Sequence, residues 1–292
     1  MRKLFPFILA GLILSAGIKG NQPAAPATES LPAPIKVMSY NLRCLNLEND
    51  FRDLWWFRKK HLAELIRKNH PDIIGMQEAY TSQAKYLERA LKDYAWFGPP
   101  RDDGKRKGER CPIFYRRDRF ELLEENTFWL SETPEIPGSI SWDSACRRVV
   151  TWGKFQDKKS GKIFYHFNTH FDHKGEIARE MSGRLLIEKI QLIAGKNPAF
   201  VTGDFNTEED SLPYQTITTL LIDSIKITQA PAQGPINTAW NFQPGTPPDK
   251  RIDYIFVSEG IAVKTYAALD QTYLNDRRPS DHIPVIVSLK IP

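Results

Sequence analysis

The hydrophobic and polar positions of this chain follow two patterns, short apolar runs and longer amphipathic segments. Apolar positions three and four residues apart predict helices, whereas short apolar runs bounded by turn residues predict strands. The predicted helices cover residues 57–70, 81–91, 175–195 and 212–221, and predicted strands cover residues 35–44, 71–80, 197–206 and 251–258. We also expect a hairpin within residues 113–130 and two strands around a Lys-Ser-Gly turn within residues 148–172. No second linker interrupts these elements, so we interpret residues 35–292 as one domain.

The first residues have the pattern of a targeting segment. Arg2 and Lys3 precede an apolar stretch at residues 4–18 that is short for a membrane-spanning helix, and small residues follow it. This pattern predicts a signal peptide over residues 1–20, with an uncleaved anchor as the alternative, and the Pro/Ala-rich residues 21–34 predict a flexible linker. We therefore expect export to the periplasm or the extracellular space, no stable membrane association after processing, and a monomer.

The charge of the chain depends on whether this segment is present. The formal net charge is +5, but Arg2, Lys3 and Lys19 carry three of the positive charges, so removal of residues 1–20 leaves +2. Tight non-specific binding to nucleic acid usually requires a larger basic excess or a concentrated basic face. The nearly balanced mature chain slightly favours a small-molecule substrate.

Polar side chains recur where predicted apolar strands end. Burial of a carboxylate costs several kcal/mol unless the group is paired or binds a metal. One such residue fits a structural role, but a set of them indicates a site, because ligands of α/β folds lie at strand ends. The set consists of Asn41, Glu78, His170, Asp204, Asn206 and His282, with Asp253 inside an apolar run. We expect Asp204 and Asn206, two apart on one strand, to face the same way.

Six short motifs carry a family resemblance. MSYNLR, IIGMQE, NTHFDH, TGDFN, RIDYIF and SDHIPV occur in this order between residues 35 and 289. Together they resemble the endonuclease/exonuclease/phosphatase superfamily with its DNase I-like fold, and GPPRDDGKRKGE and FWLSETP resemble a secreted bacterial branch of it. The resemblance implies a four-layer α/β/β/α sandwich. It also implies a divalent metal, usually Mg²⁺ with Mn²⁺ possible, and hydrolysis of a phosphate ester by water without a covalent intermediate.

The resemblance assigns three residues to the metal. Glu78 matches the metal-binding glutamate, and carboxylate oxygens are the ligands that Mg²⁺ prefers. Asn41 matches the asparagine that assists at the metal, and Asp281 is expected to reach the metal through water. For Asn41, a turn-forming role remains the competing interpretation.

The other matched residues receive catalytic roles. Asp204 corresponds to the aspartate that orients or deprotonates the attacking water, and Asn206 to the amide that donates to the phosphate. His282 corresponds to the histidine that pairs with a carboxylate, here Asp253, and His170 to a residue that contacts the phosphate. Whether Asp204 or His282 handles the proton of the water is left open by the sequence.

Some residues have two readings or depart from the family pattern. Arg43 and Arg148 are candidates for binding the substrate phosphate, with structural ion pairing as the alternative. Asp172 and His173 either cap the following helix or belong to the site.

Many DNA-repair members carry an acidic residue where this chain has Arg43, which argues against a second metal ligand and against abasic-site endonuclease activity. Histidine rather than tyrosine at position 170 favours the DNase I-like, sphingomyelinase-like and phosphatase branches.

Three functions are compatible with these residues. The leading hypothesis is an exported Mg²⁺-dependent phosphodiesterase with nuclease-like activity. The alternative is a phosphatase or phosphodiesterase that acts on small molecules such as sugar, inositol or lipid head-group phosphates. The third is a non-catalytic binding module, against which the intact set of polar residues argues.

Overall fold

The computed structural model describes residues 34–240, 242, 245–274 and 276–292, together with residues 1, 3, 4 and 6. Internal contacts divide the chain into two units, Met1–Leu31 and Pro32–Pro292. The predicted signal peptide and linker fall almost entirely outside the described residues. Among the helices that are described, none has both the length and the apolar character that a membrane crossing requires.

Two six-stranded mixed β-sheets form the centre of the unit Pro32–Pro292. The first sheet contains β1 (Ile35–Asn41), β2 (Ile73–Gln77), β3 (Tyr94–Phe97), β4 (Ile113–Arg116), β11 (Ala262–Ala268) and β12 (Val285–Lys290), in the order β11-β12-β1-β2-β4-β3. The second contains β5 (Phe120–Trp129), β6 (Val149–Asp157), β7 (Ile163–His170), β8 (Ala199–Asp204), β9 (Leu221–Asp223) and β10 (Asp253–Ser258), in the order β5-β6-β7-β8-β10-β9. The pairs β1–β2 and β7–β8 are parallel, and the other paired strands are antiparallel.

Helices cover the outer faces of the two sheets. These are α1 (Trp55–Asn69), α2 (Thr81–Ala90), α3 (Glu176–Ala194) and α4 (Leu212–Thr218). Leu62 and Leu65 of α1 pack with Met76 of the first sheet, while Leu186 of α3 packs with Val201 of the second. A third apolar cluster, which includes stacked phenylalanines of the second sheet, lies between the sheets. This arrangement confirms the predicted four-layer α/β/β/α sandwich.

The predicted hairpin within residues 113–130 is wrong. Strand β4 pairs with β2 and β3, whereas β5 pairs with β6 in the other sheet. The corner between them is held by the buried Arg119, whose guanidinium lies 2.5 Å from Asp72, just before β2, and 3.6 Å from Asp157 at the end of β6. Arg119 therefore ties the chain to both sheets at the point where it crosses from one to the other.

Helix α2 begins with a reciprocal capping contact. Tyr80 occupies the N-cap position, and its main-chain N–H donates to Gln83 Oε1 over 3.0 Å. The side chain three residues into the helix thus satisfies an N–H at the helix start, as in a capping box.

Strand register brings the predicted site residues to one edge of the sandwich. His170 on β7 is in register with Asp204 on β8, and Asp204 is in register with Asp253 on β10. These three residues form a row across the second sheet. Asn41 ends β1 of the first sheet, beside Gln77 of β2, and Glu78 follows directly.

A buried polar bridge joins the two sheets beneath this edge. Gln77 Nε2 donates to Asn168 Oδ1 over 2.7 Å, and Asn168 Nδ2 donates to the carbonyl of Met76 over 2.7 Å. Gly75 permits the close approach, because a Cβ at this position would lie 1.9 Å from Thr202 Oγ1. The bridge fixes the distance between the sheets that carry the site.

Candidate active site

Two carboxylates from different sheets meet at the side chain of Asn41. Its Nδ2 donates to Glu78 Oε1 over 3.0 Å and to Asp204 Oδ2 over 2.9 Å. Asn41 is fully buried, and its Oδ1 accepts from the main-chain N–H of Arg43 over 2.9 Å. This contact is the turn that the sequence left as a competing interpretation, and it coexists with the contact to both acids.

Glu78 is held in place by an unusual backbone conformation. Its φ of 60° lies in the left-handed region, and its Oε2 accepts from the main-chain N–H of Cys44 over 2.8 Å. Burial raises the pKa of Glu78, but the hydrogen bond from Asn41 and the charge of His282 outweigh burial and lower it. Glu78 is therefore an anion at neutral pH, and left-handed φ values of this kind concentrate at functional sites.

The donor atoms at this point fit a divalent metal. Carboxylate oxygens of Glu78 and Asp204 and a ring nitrogen of His170 all lie within 4.8 Å of one another. Burial, followed by the charge of Asp253, raises the pKa of Asp204 to about 7. The buried Asp204 and the half-buried Glu78 face one amide group and form a cluster of negative charge that a cation stabilises, and oxygen ligands suit Mg²⁺ or Mn²⁺.

His282 lies between two carboxylates. Its Nδ1 donates to Asp253 Oδ2 over 2.8 Å, and its Nε2 lies 3.7 Å from Asp204 Oδ2. Burial lowers the pKa of His282, but the charges of Asp253 and Asp204 outweigh burial and hold it well above the usual range. His282 is therefore an imidazolium at neutral pH.

Thr238 is a site residue that the sequence did not indicate. Its hydroxyl donates to Asp253 Oδ2 over 2.7 Å and accepts from the main-chain N–H of Asp253 over 3.3 Å. Both the hydroxyl of Thr238 and the ring of His282 therefore fix the same carboxylate oxygen. Thr238 lies outside the helices and strands, where apolar periodicity gives no signal.

The side chains of Asn206 and Asp204 both reach His170, whose Nε2 lies 3.3 Å from Asp204 Oδ2. Strand β8 ends at Asp204, and Asn206 has a φ of 49°, so the expectation that both residues lie on one strand is wrong. The left-handed turn allows the main-chain N–H of Asn206 to donate to Asp204 Oδ1 over 3.0 Å. The Asn206 amide donates to His170 Nε2 and to the carbonyl of Phe171, each over 3.0 Å.

The contact with Asn206 sets the tautomer of His170. Because the amide nitrogen only donates, Nε2 of the ring accepts and Nδ1 carries the proton. Burial and then the charge of Arg148 hold the pKa of His170 well below its usual range. His170 is thus a neutral ring whose buried Nδ1–H has no partner among the described residues.

The two arginines predicted to bind substrate are both engaged in ion pairs. Arg43 Nε donates to Glu48 over 2.9 Å, and its Nη1 lies 3.1 Å from Asp281 Oδ2. Asp281 is buried, which raises its pKa, and it lies beside His282 in the chain. The structural reading of Arg43 therefore holds in this structure, and the arginine orients Asp281 at the edge of the site.

Arg148 is fully buried behind the site. Its Nε lies 3.5 Å from Asp172 Oδ2, and its Nη2 donates to His173 Nδ1 over 3.0 Å, while Nη1 has no partner among the described residues. Asp172 Oδ1 also accepts from the main-chain N–H groups of Lys174 and Gly175, each over 2.9 Å. These bonds close a turn before α3 but do not cap it, because Gly175 is the N-cap residue and the N–H groups of Ile177 and Ala178 donate to Asp143. The capping interpretation of Asp172 is therefore wrong. Because Arg148 donates to Nδ1 of His173, that nitrogen is the acceptor, and the ring proton of His173 lies on Nε2.

A pocket of about 540 Å³ opens beside the row of polar residues. Asn206, Asp281 and His282 form its inner wall. Trp240, Ala239 and Ile252 form the apolar part of its other walls. The rest of the lining is polar and consists of His173, Arg179, Thr207, Glu208, Asp210, Asp249 and Lys250. The pocket gives the site a compartment of the volume that small-molecule ligands occupy.

Comparisons with known proteins agree with the fold. Residues 38–282 match the model of the Endonuclease/Exonuclease/phosphatase family. A crystal structure of an endonuclease/exonuclease/phosphatase family protein from Bacteroides thetaiotaomicron is 39% identical, with a TM-score of 0.85 over 90% of this chain and 100% of that one. A mannosyl-6-phosphatase from Bacteroides thetaiotaomicron VPI-5482 is also 39% identical, with a TM-score of 0.83 over 88% of this chain and 100% of that one.

One relative from an animal is similar to part of this chain. Nocturnin of Drosophila melanogaster is 30% identical over 176 residues, which cover 56% of this chain and 26% of the relative. Members of this group of proteins are hydrolases that act on phosphate esters, and they are generally dependent on a divalent metal. The match to the family model, over residues 38–282, spans most of the described domain, and the polar residues from Asn41 to His282 lie within that range. The chain therefore belongs to the endonuclease/exonuclease/phosphatase family.

Proposed function

We propose that this protein is an exported, Mg²⁺-dependent phosphatase that hydrolyses phosphate monoesters of sugars or similar polyhydroxylated small molecules. The pocket of about 540 Å³ beside His282 is the observation that carries the proposal. A volume of this size suits a small leaving group that is enclosed on several sides. The similarity to a mannosyl-6-phosphatase supports the same substrate class.

The charges of the pocket favour hydroxyl groups over a second phosphate. Glu208, Asp210 and Asp249 line it together with Lys250 and Arg179. Carboxylates accept hydrogen bonds from hydroxyls, and the two cationic side chains donate to them. A polynucleotide would bring further phosphates towards the three acids, which repel them. The pocket therefore shifts the preference from the phosphodiesters favoured by the sequence to small-molecule monoesters.

The chain's own residues supply binding, orientation and proton transfer. Glu78, with Asn41 and Asp281 beside it, would hold the Mg²⁺ ion, or Mn²⁺ in its place, which supplies charge neutralisation at the phosphoryl oxygens. His282, kept protonated by Asp253, would donate from Nε2 to a phosphoryl oxygen. His170 would donate from Nδ1, with Asn206 holding the ring through Nε2.

Asp204 is the better candidate for the base. A group that is already protonated does not accept another proton, which excludes the imidazolium of His282 from this role. The pKa of Asp204 is about 7, so the carboxylate is available near neutral pH and has useful basicity. We propose that Asp204 accepts the proton of the attacking water. Donation from the Asn206 amide to the phosphate remains a prediction, because both amide hydrogens have partners within the chain.

Hydrolysis by the purified protein tests the proposal. One substrate pair consists of mannose 6-phosphate and p-nitrophenyl phosphate; the other consists of bis-p-nitrophenyl phosphate and plasmid DNA. Each is assayed with Mg²⁺, with Mn²⁺ and with EDTA, beside the Asp204→Asn variant. We expect metal-dependent release of phosphate from the monoesters, abolished in the variant.

Other results of this assay would support one of the two other functions. Cleavage of the diester and of DNA without monoester turnover would support the phosphodiesterase hypothesis and refute the monoester proposal. Binding of a sugar phosphate with no turnover of any substrate, unchanged by Asp204→Asn, would support the non-catalytic binding module.

Export and the monomeric state are also proposals. The basic and apolar segments within residues 1–20 support cleavage and export. N-terminal sequencing of the protein recovered from periplasmic and extracellular fractions tests export, and retention of an intact N-terminus would contradict cleavage. Sedimentation of the purified protein tests the monomer.

A further inference from the structure

Five large apolar side chains are exposed within one short stretch of the chain. They are Leu45, Leu47, Phe51, Trp56 and Phe57, and we call them the apolar ridge. Leu47 is 98% exposed and Trp56 is 73% exposed. Single exposed apolar residues are ordinary, but a concentration of them on one surface marks an interaction site.

A groove of about 620 Å³ lies against this ridge. Leu54, Trp55 and Tyr86 contribute apolar walls, and Leu45, Leu47 and Trp56 belong to both the groove and the ridge. Its volume and its apolar lining suit a hydrophobic segment of a ligand. The groove and these three residues of the ridge thus form one apolar surface.

Cationic side chains border the groove. Lys59, Lys85 and Arg89 line it, and none of the described side chains that line it is acidic. The Lys59 ammonium lies 3.9 Å from the centre of the Trp56 ring and 5.0 Å from that of Tyr86, so the aromatic rings hold it at the groove. Long basic side chains around an apolar centre complement a partner that is apolar inside and anionic at its surface.

The surface begins directly beside the candidate active site. Cys44 donates its main-chain N–H to Glu78, and Leu45 is the next residue. On the other side, Ser82 of the groove lies in the first turn of α2, which begins shortly after Glu78. A partner on the apolar ridge would therefore lie close to the edge of the site that carries Glu78.

The shape and charge of this surface favour a lipid bilayer over a protein. A second copy that bound through the same face would bring Lys59, Lys85 and Arg89 against their own counterparts, and like charges repel. A structured protein partner requires matching shape, whereas Leu47 and Trp56 project from the surface as separate side chains. A bilayer interface accepts protruding leucine and tryptophan side chains without matched shape, and anionic head groups attract the basic border.

We propose that the apolar ridge and its basic border dock the protein reversibly on an anionic lipid surface. Leu47 and Trp56 enter the interfacial region, and Lys59, Lys85 and Arg89 contact the head groups. This contact is distinct from a membrane anchor within residues 1–34, and it does not depend on which phosphate ester is hydrolysed. It would hold the active site beside the lipid head groups.

Co-sedimentation with vesicles tests the docking surface. The purified chain is mixed with vesicles of phosphatidylcholine alone, or of phosphatidylcholine with phosphatidylglycerol. The Leu47→Glu/Trp56→Glu double variant is compared with Leu192→Glu, which changes a leucine on α3 that is 75% exposed. All proteins are checked by mass for the same N-terminus, because residues 4–18 are themselves apolar.

We expect the wild type and Leu192→Glu to bind the anionic vesicles at least about tenfold more tightly than the neutral ones. The double variant should lose this binding by about tenfold or more while it keeps its melting temperature and its activity on a soluble substrate. Equal vesicle binding by the wild type and the double variant would overturn the proposal. So would dimers that the double variant abolishes, with no vesicle binding by the wild type, because the occupant would then be a second copy.

Discussion

Replacement of Asp253 by asparagine removes a charge from the site with little change in shape. Asp253 Oδ2 accepts from His282 Nδ1 over 2.8 Å and from the Thr238 hydroxyl over 2.7 Å. Its Oδ1 has no partner among the described residues. The carbonyl oxygen of an asparagine can therefore keep both hydrogen bonds, while the amide nitrogen takes the position of Oδ1.

The size of the effect follows from the charge that is lost. A hydrogen bond to a charged partner contributes about 1.5–3 kcal/mol, and a neutral one contributes about 1 kcal/mol. We therefore expect Asp253→Asn to weaken transition-state stabilisation by about 0.5–2 kcal/mol, the difference between a charged and a neutral partner, which corresponds to about a 2- to 30-fold lower kcat. Without the carboxylate, the pKa of His282 falls, because the charge of Asp253 is the largest of those that raise it against burial. The imidazolium then loses its proton at a lower pH, so the activity of the variant should decline earlier as the pH rises.

The assay is kcat against pH on a monoester substrate at saturating Mg²⁺. Asp118→Asn serves as the control, because Asp118 is an exposed acid that pairs with Arg116. We expect the control to match the wild type, and Asp253→Asn to show the largest deficit at alkaline pH. A variant that folds and keeps its kcat within about twofold of the wild type at every pH would refute the argument, since a difference of this size is below about 0.5 kcal/mol.

Three further predictions concern other parts of the molecule. Thr238→Val should lower kcat about fivefold at unchanged KM, which is the effect of about 1 kcal/mol for one hydrogen bond, and Thr238→Ser should restore it; equal loss in both variants would contradict the role of the hydroxyl. Glu78→Gln should lower activity by at least about 100-fold and abolish the rise in melting temperature on addition of Mg²⁺, because the metal contributes several kcal/mol; a retained Mg²⁺ shift would argue against Glu78 as a ligand. Burial lowers the pKa of His166 from 6.5 to about 3, so only the unfolded chain gains its proton as the pH falls below 6.5. The stability of the wild type, from urea unfolding, should therefore decrease with falling pH by about 1.4 kcal/mol per unit more than that of His166→Phe, and parallel curves would contradict this.

The site residues were predictable wherever a polar side chain follows an apolar strand. His170 and Asp204 end their strands and Asp253 begins one, so strand register alone brings these three to one edge of the second sheet, while Asn41 ends a strand of the first. The backbone conformation of the residues that follow the strands could not be predicted from the apolar pattern. Asn206 follows a strand in the same way, but its positive φ turns the side chain to His170, and periodicity carries no information on that turn.

Long-range partners were the main features that the sequence did not reveal. Thr238 contacts Asp253 from a segment that is neither helix nor strand, so no pattern marks it. The two strands around residues 117–119 have hairpin-like spacing, yet a buried arginine that contacts an acid on each sheet separates them. Apolar periodicity identifies strands and buried faces, but it does not say in which sheet a strand lies.

The catalytic arrangement depends on how far apart the two sheets lie. The first sheet provides Asn41 and Glu78, and the second provides Asp204. The hydrogen bond from Asn41 to Asp204 therefore spans the two sheets and forms only at one separation between them. The bridge from Gln77 to Asn168 sets that separation in the layer below. Because the bridge is buried and polar, its members keep fixed partners, which an apolar contact would not require. The geometry of a candidate site that draws residues from both sheets therefore rests on polar residues in the layer beneath it.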